Sequence, residues 1–110
     1  MPRLCRIDLD RREQVYEELL AFVRRLKEDL PVSKVYLHGS FATGRIHEGS
    51  DIDLVIVGDF RERLFDRIDR VLQMTSLPIE PLVYTPKEFD GMVESKNPFI
   101  LYVLREGKEL

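Results

Sequence analysis

The segment His38-Gly-Ser-Phe-Ala-Thr-Gly-Arg-Ile-His-Glu-Gly-Ser-Asp-Ile-Asp-Leu54 decides which fold this chain can adopt. It joins a Gly-Ser turn to an Asp-x-Asp pair, and ten residues separate Ser40 from Asp51. Apolar runs lie at residues 34–38 and 52–57, and each has the length and composition of a buried strand. The pattern predicts a strand, a turn into a brief helix, and a second strand.

The Asp-x-Asp pair, Asp51 and Asp53, stands at the head of the second predicted strand. Alternate residues of a strand project from the same face, so the two carboxylates are expected to point into one volume. Carboxylates this close repel each other unless a cation lies between them, and hard oxygen ligands favour Mg²⁺ or Mn²⁺. The pair therefore predicts a divalent-metal site, and the alternative is a solvated loop.

Gly39 and Ser40 form the turn at the end of the first predicted strand. A glycine at this place lets the backbone approach a ligand closely. The free N–H groups and the positive dipole end of the helix that follows favour an anion, and the Ser40 hydroxyl adds a donor. The expected ligand is a phosphate group, and the alternative is an ordinary turn. Anion donors and cation ligands are thus expected in one cleft.

In this arrangement the segment resembles the signature of the minimal nucleotidyltransferases of the DNA polymerase β-like superfamily, in which Asp-x-Asp follows Gly-Ser at this spacing. Gly39, Ser40, Asp51 and Asp53 match it, and the resemblance extends over nearly the whole chain. It implies the nucleotidyltransferase fold, with a third metal-binding carboxylate on a later strand. Glu80 is the candidate for that carboxylate, although Glu80 could also be a plain strand-edge residue.

The resemblance also implies a role for each matched residue. Gly39 and Ser40 would hold the triphosphate of ATP. Asp51 and Asp53 would bind the Mg²⁺ ion on that triphosphate, and Asp53 with Glu80 would bind a second ion that activates the acceptor hydroxyl. Such a reaction depends mainly on positioning and charge neutralisation, so a small domain can perform it.

Stand-alone proteins of this size resemble the antitoxin of a prokaryotic toxin–antitoxin pair whose partner is a HEPN-domain ribonuclease. The implied reaction is transfer of AMP from ATP to a tyrosine hydroxyl of that toxin. Two alternatives stay open. One is nucleotidyl transfer to a small hydroxyl compound such as an aminoglycoside, and the other is a binding module that neutralises its partner by contact alone.

Length and charge set further limits. The 110 residues are expected to form a single domain over positions 1–110. There are 17 basic and 20 acidic residues, a net charge of −3, which argues against an extended nucleic-acid surface. No stretch approaches the roughly 20 apolar residues of a membrane span, and no signal peptide is evident. The protein is therefore expected to be cytoplasmic.

The remaining elements are predicted from periodicity and capping residues. Helices are expected over residues 11–30 and 60–74, a strand over 79–84, and a further helix from Pro86 towards Ser95, capped by Thr85 and Glu88. The second helix is expected to bury Leu64, Phe65, Ile68, Val71 and Leu72. This order predicts an α/β fold, a small mixed β-sheet of at least three strands covered by helices.

Three features have less certain roles. The apolar run 99–104 is either a helix packed on the core or a contact surface for a partner or a second copy of the chain. His38 is interpreted as a packing residue at the end of its strand, and the alternative is a catalytic base. Arg45 and His47 lie between the turn and the Asp-x-Asp pair, where they could contact a nucleotide phosphate or the acceptor.

Overall fold

The computed structural model describes residues 9–39 and 52–110, and describes side chains from residue 13 onwards within those ranges. The elements in these ranges are α1 (Leu9–Asp29), β1 (Val32–His38), β2 (Ile52–Gly58), α2 (Leu64–Leu72), β3 (Ile79–Tyr84), α3 (Pro86–Glu94), α4 (Pro98–Glu106) and β4 (Lys108–Glu109). The α/β class and the mixed sheet of at least three strands are confirmed.

The described strands form one four-stranded sheet in the order β3–β2–β1–β4. β1 runs antiparallel to β2 and to β4, whereas β2 and β3 are parallel and are connected through α2. A parallel pair needs such a crossover, because its second strand must start again at the same end of the sheet. Pro81 fits in β3 because β3 is an edge strand, where a missing backbone donor is tolerated.

Helices cover both faces of the sheet. Alternate residues of each strand project in opposite directions, so each face packs its own set of side chains against its helices. On one face, eight buried strand residues pack towards α1 and α2: Val32, Val35, Leu37, Ile52, Leu54, Ile56, Ile79 and Val83. The opposite face, called the α4 face here, packs three buried strand residues against α3 and α4: Tyr36, Val55 and Val57. The central strand β2 is consequently apolar in nearly every position.

Helix α1 covers the first of these faces. It buries residues at helical spacing, among them Leu19, Phe22 and Leu26, all of them fully inaccessible to solvent. Its bounds agree with the predicted helix to within two residues at the start and one at the end. None of the helices in the described ranges has both the length and the apolar character that a bilayer crossing requires.

Helix α2 corrects the prediction of a helix over residues 60–74. It begins only at Leu64, and the N-cap residue Arg63 makes no side-chain capping bond. Of the five residues expected to be buried, Val71 is buried and Ile68 is partly buried. The other three are exposed, by 38% (Leu64), 81% (Phe65) and 41% (Leu72).

The side of α2 that faces the sheet explains this difference. Arg67 and Val71, four residues apart, are its two buried residues and lie on one side of the helix. Phe65 lies about 120° around the helix axis from Val71, so its ring points away from the sheet. Phe60, expected at the start of the helix, is buried in the turn after β2, where its N–H donates to the carbonyl of Gly58.

Arg67 connects three elements although it carries a charge. Its Nε donates to the carbonyl of Glu62 at 2.6 Å, and its Nη1 donates to the carbonyl of Val83 at 3.3 Å and to Oε1 of Glu88 at 2.8 Å. These bonds compensate for its burial. Glu88 also completes the capping box with Thr85 at the start of α3, which confirms the predicted helix start.

The C-terminal apolar run forms helix α4. The Asn97 side chain accepts hydrogen bonds from the N–H groups of the first turn, and Pro98 occupies the position that needs no donor. Ile100 and Val103 are buried against the sheet, so the predicted helix packed on the core is confirmed. Leu101 and Leu104 of this helix are exposed. A contact of this helix with a partner or a second copy of the chain stays a prediction.

Candidate active site

Strand register places three polar residues in one row across the sheet. His38 of β1 is the register partner of Asp53 of β2, and Asp53 is the register partner of Glu80 of β3. Register partners in adjacent strands project from the same face. We call these three residues the site row. It lies on the α4 face, two positions from the apolar row of Tyr36, Val55 and Leu82.

The site row lines an open cleft of about 570 Å³. Asp53 is half-buried in it and Glu80 is exposed, so both carboxylates are accessible to a ligand. Leu72, Leu82 and Phe99 also line the cleft, and we call these three residues the apolar wall. One cleft therefore combines acidic groups on strands with an apolar surface contributed mainly by the ends of two helices.

Gly39 has a close contact that only glycine allows. Its φ of +79° lies in the left-handed region, where a Cβ is unfavourable. A Cβ at this position would lie 2.2 Å from Oδ2 of Asp53. The sequence predicted a close backbone approach to a ligand here, and the structure shows a close approach to the carboxylate that is predicted to bind the metal.

His38 is packed as predicted, and it also lies next to Asp53. Its side chain is only 9% exposed and makes edge-on contacts with the rings of Phe99 and Tyr102, with centroid distances of 5.3 and 6.2 Å. Burial lowers the pKa of His38, while the charge of Asp53 acts in the opposite direction. The neutral imidazole is therefore favoured beside the carboxylate.

The structure thus brings together three of the five predicted site residues: Gly39, Asp53 and Glu80. Ser40 and Asp51 lie outside the described residues, as do Arg45, His47 and the predicted brief helix. His38 is a member of the row that was not predicted to lie beside Asp53. The available signal was its position directly before Gly39, at the end of a strand that pairs with the strand of Asp53.

Residues 18–103 of the chain match the family model of the nucleotidyltransferase domain. This chain belongs to the nucleotidyltransferase domain family. A candidate nucleotidyltransferase from Sulfolobus solfataricus has a similar solved structure, with a TM-score of 0.61 over 76% of this chain and 78% of that protein. The two sequences are 23% identical, so this likeness shows the fold alone. No protein of curated function matches the sequence.

The nucleotidyltransferase family generally uses a nucleotide substrate and a divalent metal ion. The residues of this domain fit such an ion by donor type, because the carboxylates of Asp53 and Glu80 are hard oxygen ligands. They also fit by position, since paired strands lie about 4.8 Å apart and both side chains share one face and one cleft. Within residues 9–39 and 52–110, no group of three or more His, Cys, Asp or Glu side chains could hold a metal ion; Asp51 lies outside these ranges.

Proposed function

We propose that this nucleotidyltransferase transfers AMP from ATP to a tyrosine hydroxyl of a partner HEPN ribonuclease toxin, and thereby acts as the antitoxin. The observation that carries the proposal is the register of Asp53 with Glu80, with the backbone of Gly39 directly against the Asp53 carboxylate. A small domain with this arrangement has the parts that nucleotidyl transfer requires, which are acids to hold metal ions and a backbone turn to hold phosphates.

Each residue has one role in the proposed reaction. Gly39 and Ser40 would hold the triphosphate of ATP, and Asp51, Asp53 and Glu80 would hold two Mg²⁺ ions. When bound, these ions would neutralise charge on the phosphates and make the acceptor hydroxyl more acidic. The resemblance implies that Asp53 would bind both ions, and the register of Asp53 with Glu80 supports its role in binding the ion that these two carboxylates would share.

The transfer itself is a displacement at the α-phosphorus of ATP. The tyrosine oxygen forms a bond to that phosphorus, the bond to the bridging oxygen of the β-phosphate breaks, and pyrophosphate leaves with the electron pair. The phenolic proton passes to solvent. The domain contributes mainly orientation, because the attacking and leaving oxygens must lie roughly in line.

The apolar wall favours a phenolic acceptor over an aminoglycoside. Leu72 and Leu82 offer a surface on which an aromatic ring can pack beside the carboxylates. An aminoglycoside carries many hydroxyl and ammonium groups, and these would lose hydration against such a wall without gaining partners. The tyrosine acceptor is therefore the better match to this cleft.

The proposal is tested with α-labelled ATP, Mg²⁺ and the protein that co-purifies with this chain from its native lysate. We expect label on a tyrosine of that partner, with a mass increase equal to AMP. Asp53→Asn and Glu80→Gln should each reduce transfer by about 100-fold or more, as is usual when a group that stabilises transition-state charge is lost. The matched control is Asp59→Asn, which replaces an exposed acid beyond the far end of β2 and should leave transfer unchanged.

Three results would contradict parts of the proposal. Full activity of Asp53→Asn would refute the assignment of the site. Label on an added aminoglycoside, with none on protein, would show that the acceptor is a small hydroxyl compound and not a tyrosine, while nucleotidyl transfer itself would be retained. Neutralisation of the partner by Asp53→Asn as complete as by the wild type would support a binding module that acts by contact alone.

A further inference from the structure

The imidazole of His38 is a buried polar group without a hydrogen-bond partner in the part of the chain that the structure describes. His38 and Arg67 are the two buried polar side chains there. Arg67 donates to two carbonyls and a carboxylate, whereas no described atom forms a hydrogen bond with the His38 ring. Buried polar side chains nearly always have a protein or an ordered-water partner, so the His38 ring must bond to water or to a ligand in the cleft that it lines.

The place of the ring suggests that its partner is a ligand. The side chain is about nine-tenths buried, yet it lines the cleft together with Asp53 and Phe99. The edge-on contacts with Phe99 and Tyr102 fix the orientation of the ring before any ligand binds. A fixed donor costs little conformational entropy on binding, which is the usual property of a binding-site residue.

The order of the site row indicates which substrate reaches His38. Glu80 lies on one side of Asp53, and His38 lies on the other. His38 directly precedes Gly39 and Ser40, the residues assigned to the triphosphate. The nucleotide is therefore expected on the His38 side of Asp53, and the acceptor on the Glu80 side. A neutral imidazole has one N–H donor, and phosphate oxygens are strong acceptors.

We propose that His38 is a nucleotide-binding residue whose ring N–H donates a hydrogen bond to a phosphate oxygen of a nucleoside triphosphate. This inference rests on the proposed function, because it takes the Gly39 turn as the triphosphate site. It adds a contact from β1 itself to the contacts from the turn. The competing explanation is that the ring only fills space between the sheet and α4.

The test measures binding of ATP with Mg²⁺ by calorimetry, in the absence of any acceptor, to the wild type and three variants of His38. His38→Phe fills the aromatic surroundings but cannot form the bond, and we expect roughly 10- to 100-fold weaker binding. His38→Asn and His38→Gln place an amide donor near one or the other ring nitrogen. At least one of them should bind ATP within about threefold of the wild type.

Tyr36→Phe is the matched control, since it removes a polar atom from the same strand and face two positions from the row, where Tyr36 stacks on Phe89. It should leave ATP affinity unchanged. Urea denaturation of each variant measures its free energy of unfolding, so that a loss of ATP affinity can be distinguished from a loss of stability. Weaker binding in all three His38 variants, in proportion to their loss of stability, would assign His38 to packing and overturn the inference.

The same experiment separates this inference from the proposed function. If the wild type binds no nucleoside triphosphate, the proposed function fails and the inference fails with it. If the wild type binds ATP and His38→Phe binds equally well, only the inference is overturned. The inference is supported if ATP binding is weakened in His38→Phe and recovered in His38→Asn or His38→Gln.

Discussion

Gly39→Ala should reduce nucleotidyl transfer strongly while the domain stays folded. The new Cβ would lie 2.2 Å from Oδ2 of Asp53, and ordinary contact begins at 3.4 Å, so the carboxylate has to retreat by about 1.2 Å. A displacement of about 1 Å at a reacting centre can cost about 100-fold in rate. The φ of +79° adds an unfavourable backbone term of about 1–2 kcal/mol to folding.

The assay compares transfer from labelled ATP with the free energy of unfolding in urea. Gly91→Ala is the matched control, because a Cβ there meets no atom within 4 Å and the residue lies in the interior of α3. Alanine is the better helix former, so this variant should be slightly more stable and fully active. Gly39→Ala should instead lose about 100-fold in kcat/KM and about 1–2 kcal/mol in stability.

Two outcomes would refute this reasoning. Transfer by Gly39→Ala within about threefold of the wild type would mean that the position of the Asp53 carboxylate does not limit the reaction. A loss of activity that merely follows the unfolded fraction would mean that the glycine serves the fold and not the carboxylate.

Two further predictions concern stability. The hydrogen bond from Arg67 holds the pKa of Glu88 below its ordinary value of 4.5, so Glu88 contributes stability above that pH and loses it as pH falls through the lowered pKa. The Glu88 side chain is 47% exposed, so Glu88→Gln should lower the free energy of unfolding by less than about 1 kcal/mol at pH 7. In urea denaturation, this variant should also lose part of the pH dependence of that free energy between about pH 5 and 2. Gly58→Ala should cost about 1–3 kcal/mol without changing kcat of the folded protein, because its Cβ would meet three heavy atoms at 2.6–2.9 Å. A thermal shift assay against wild type checks this, and an unchanged midpoint would contradict it.

Strands and capped helices could be predicted from the sequence because their signals are local. β3 has the predicted bounds, and α3 begins at the predicted capping box of Thr85 and Glu88. β4 had no such signal, since its two residues, Lys108 and Glu109, are charged. They form a strand only because Leu37 and Tyr36 offer backbone partners at that edge of the sheet. Tertiary contact decides such an element, and local preference does not.

The residues of the candidate site could be proposed from the sequence, but their register across the sheet could not. The spacing predicts Gly39 and Asp53, and the resemblance implies Glu80 as a carboxylate on a later strand. That Glu80 lies in register with Asp53 depends on how β3 docks after the α2 crossover, which no local pattern encodes. The exposure of Phe65 has a similar origin, because Arg67 occupies the side of α2 that faces the sheet through bonds to β3 and α3.

The apolar wall and the site row differ in how freely they can change during evolution. His38 and Asp53 lie in paired strands of the core, so a substitution there alters folding and chemistry together. Leu72 is exposed and Leu82 is half-buried, so replacing either removes little buried surface, whereas Phe99 also packs on the His38 ring. Under the proposed function, a lineage with this domain can therefore acquire a new acceptor by mutating Leu72 or Leu82, at small cost in stability, while the reaction on the strands is inherited unchanged.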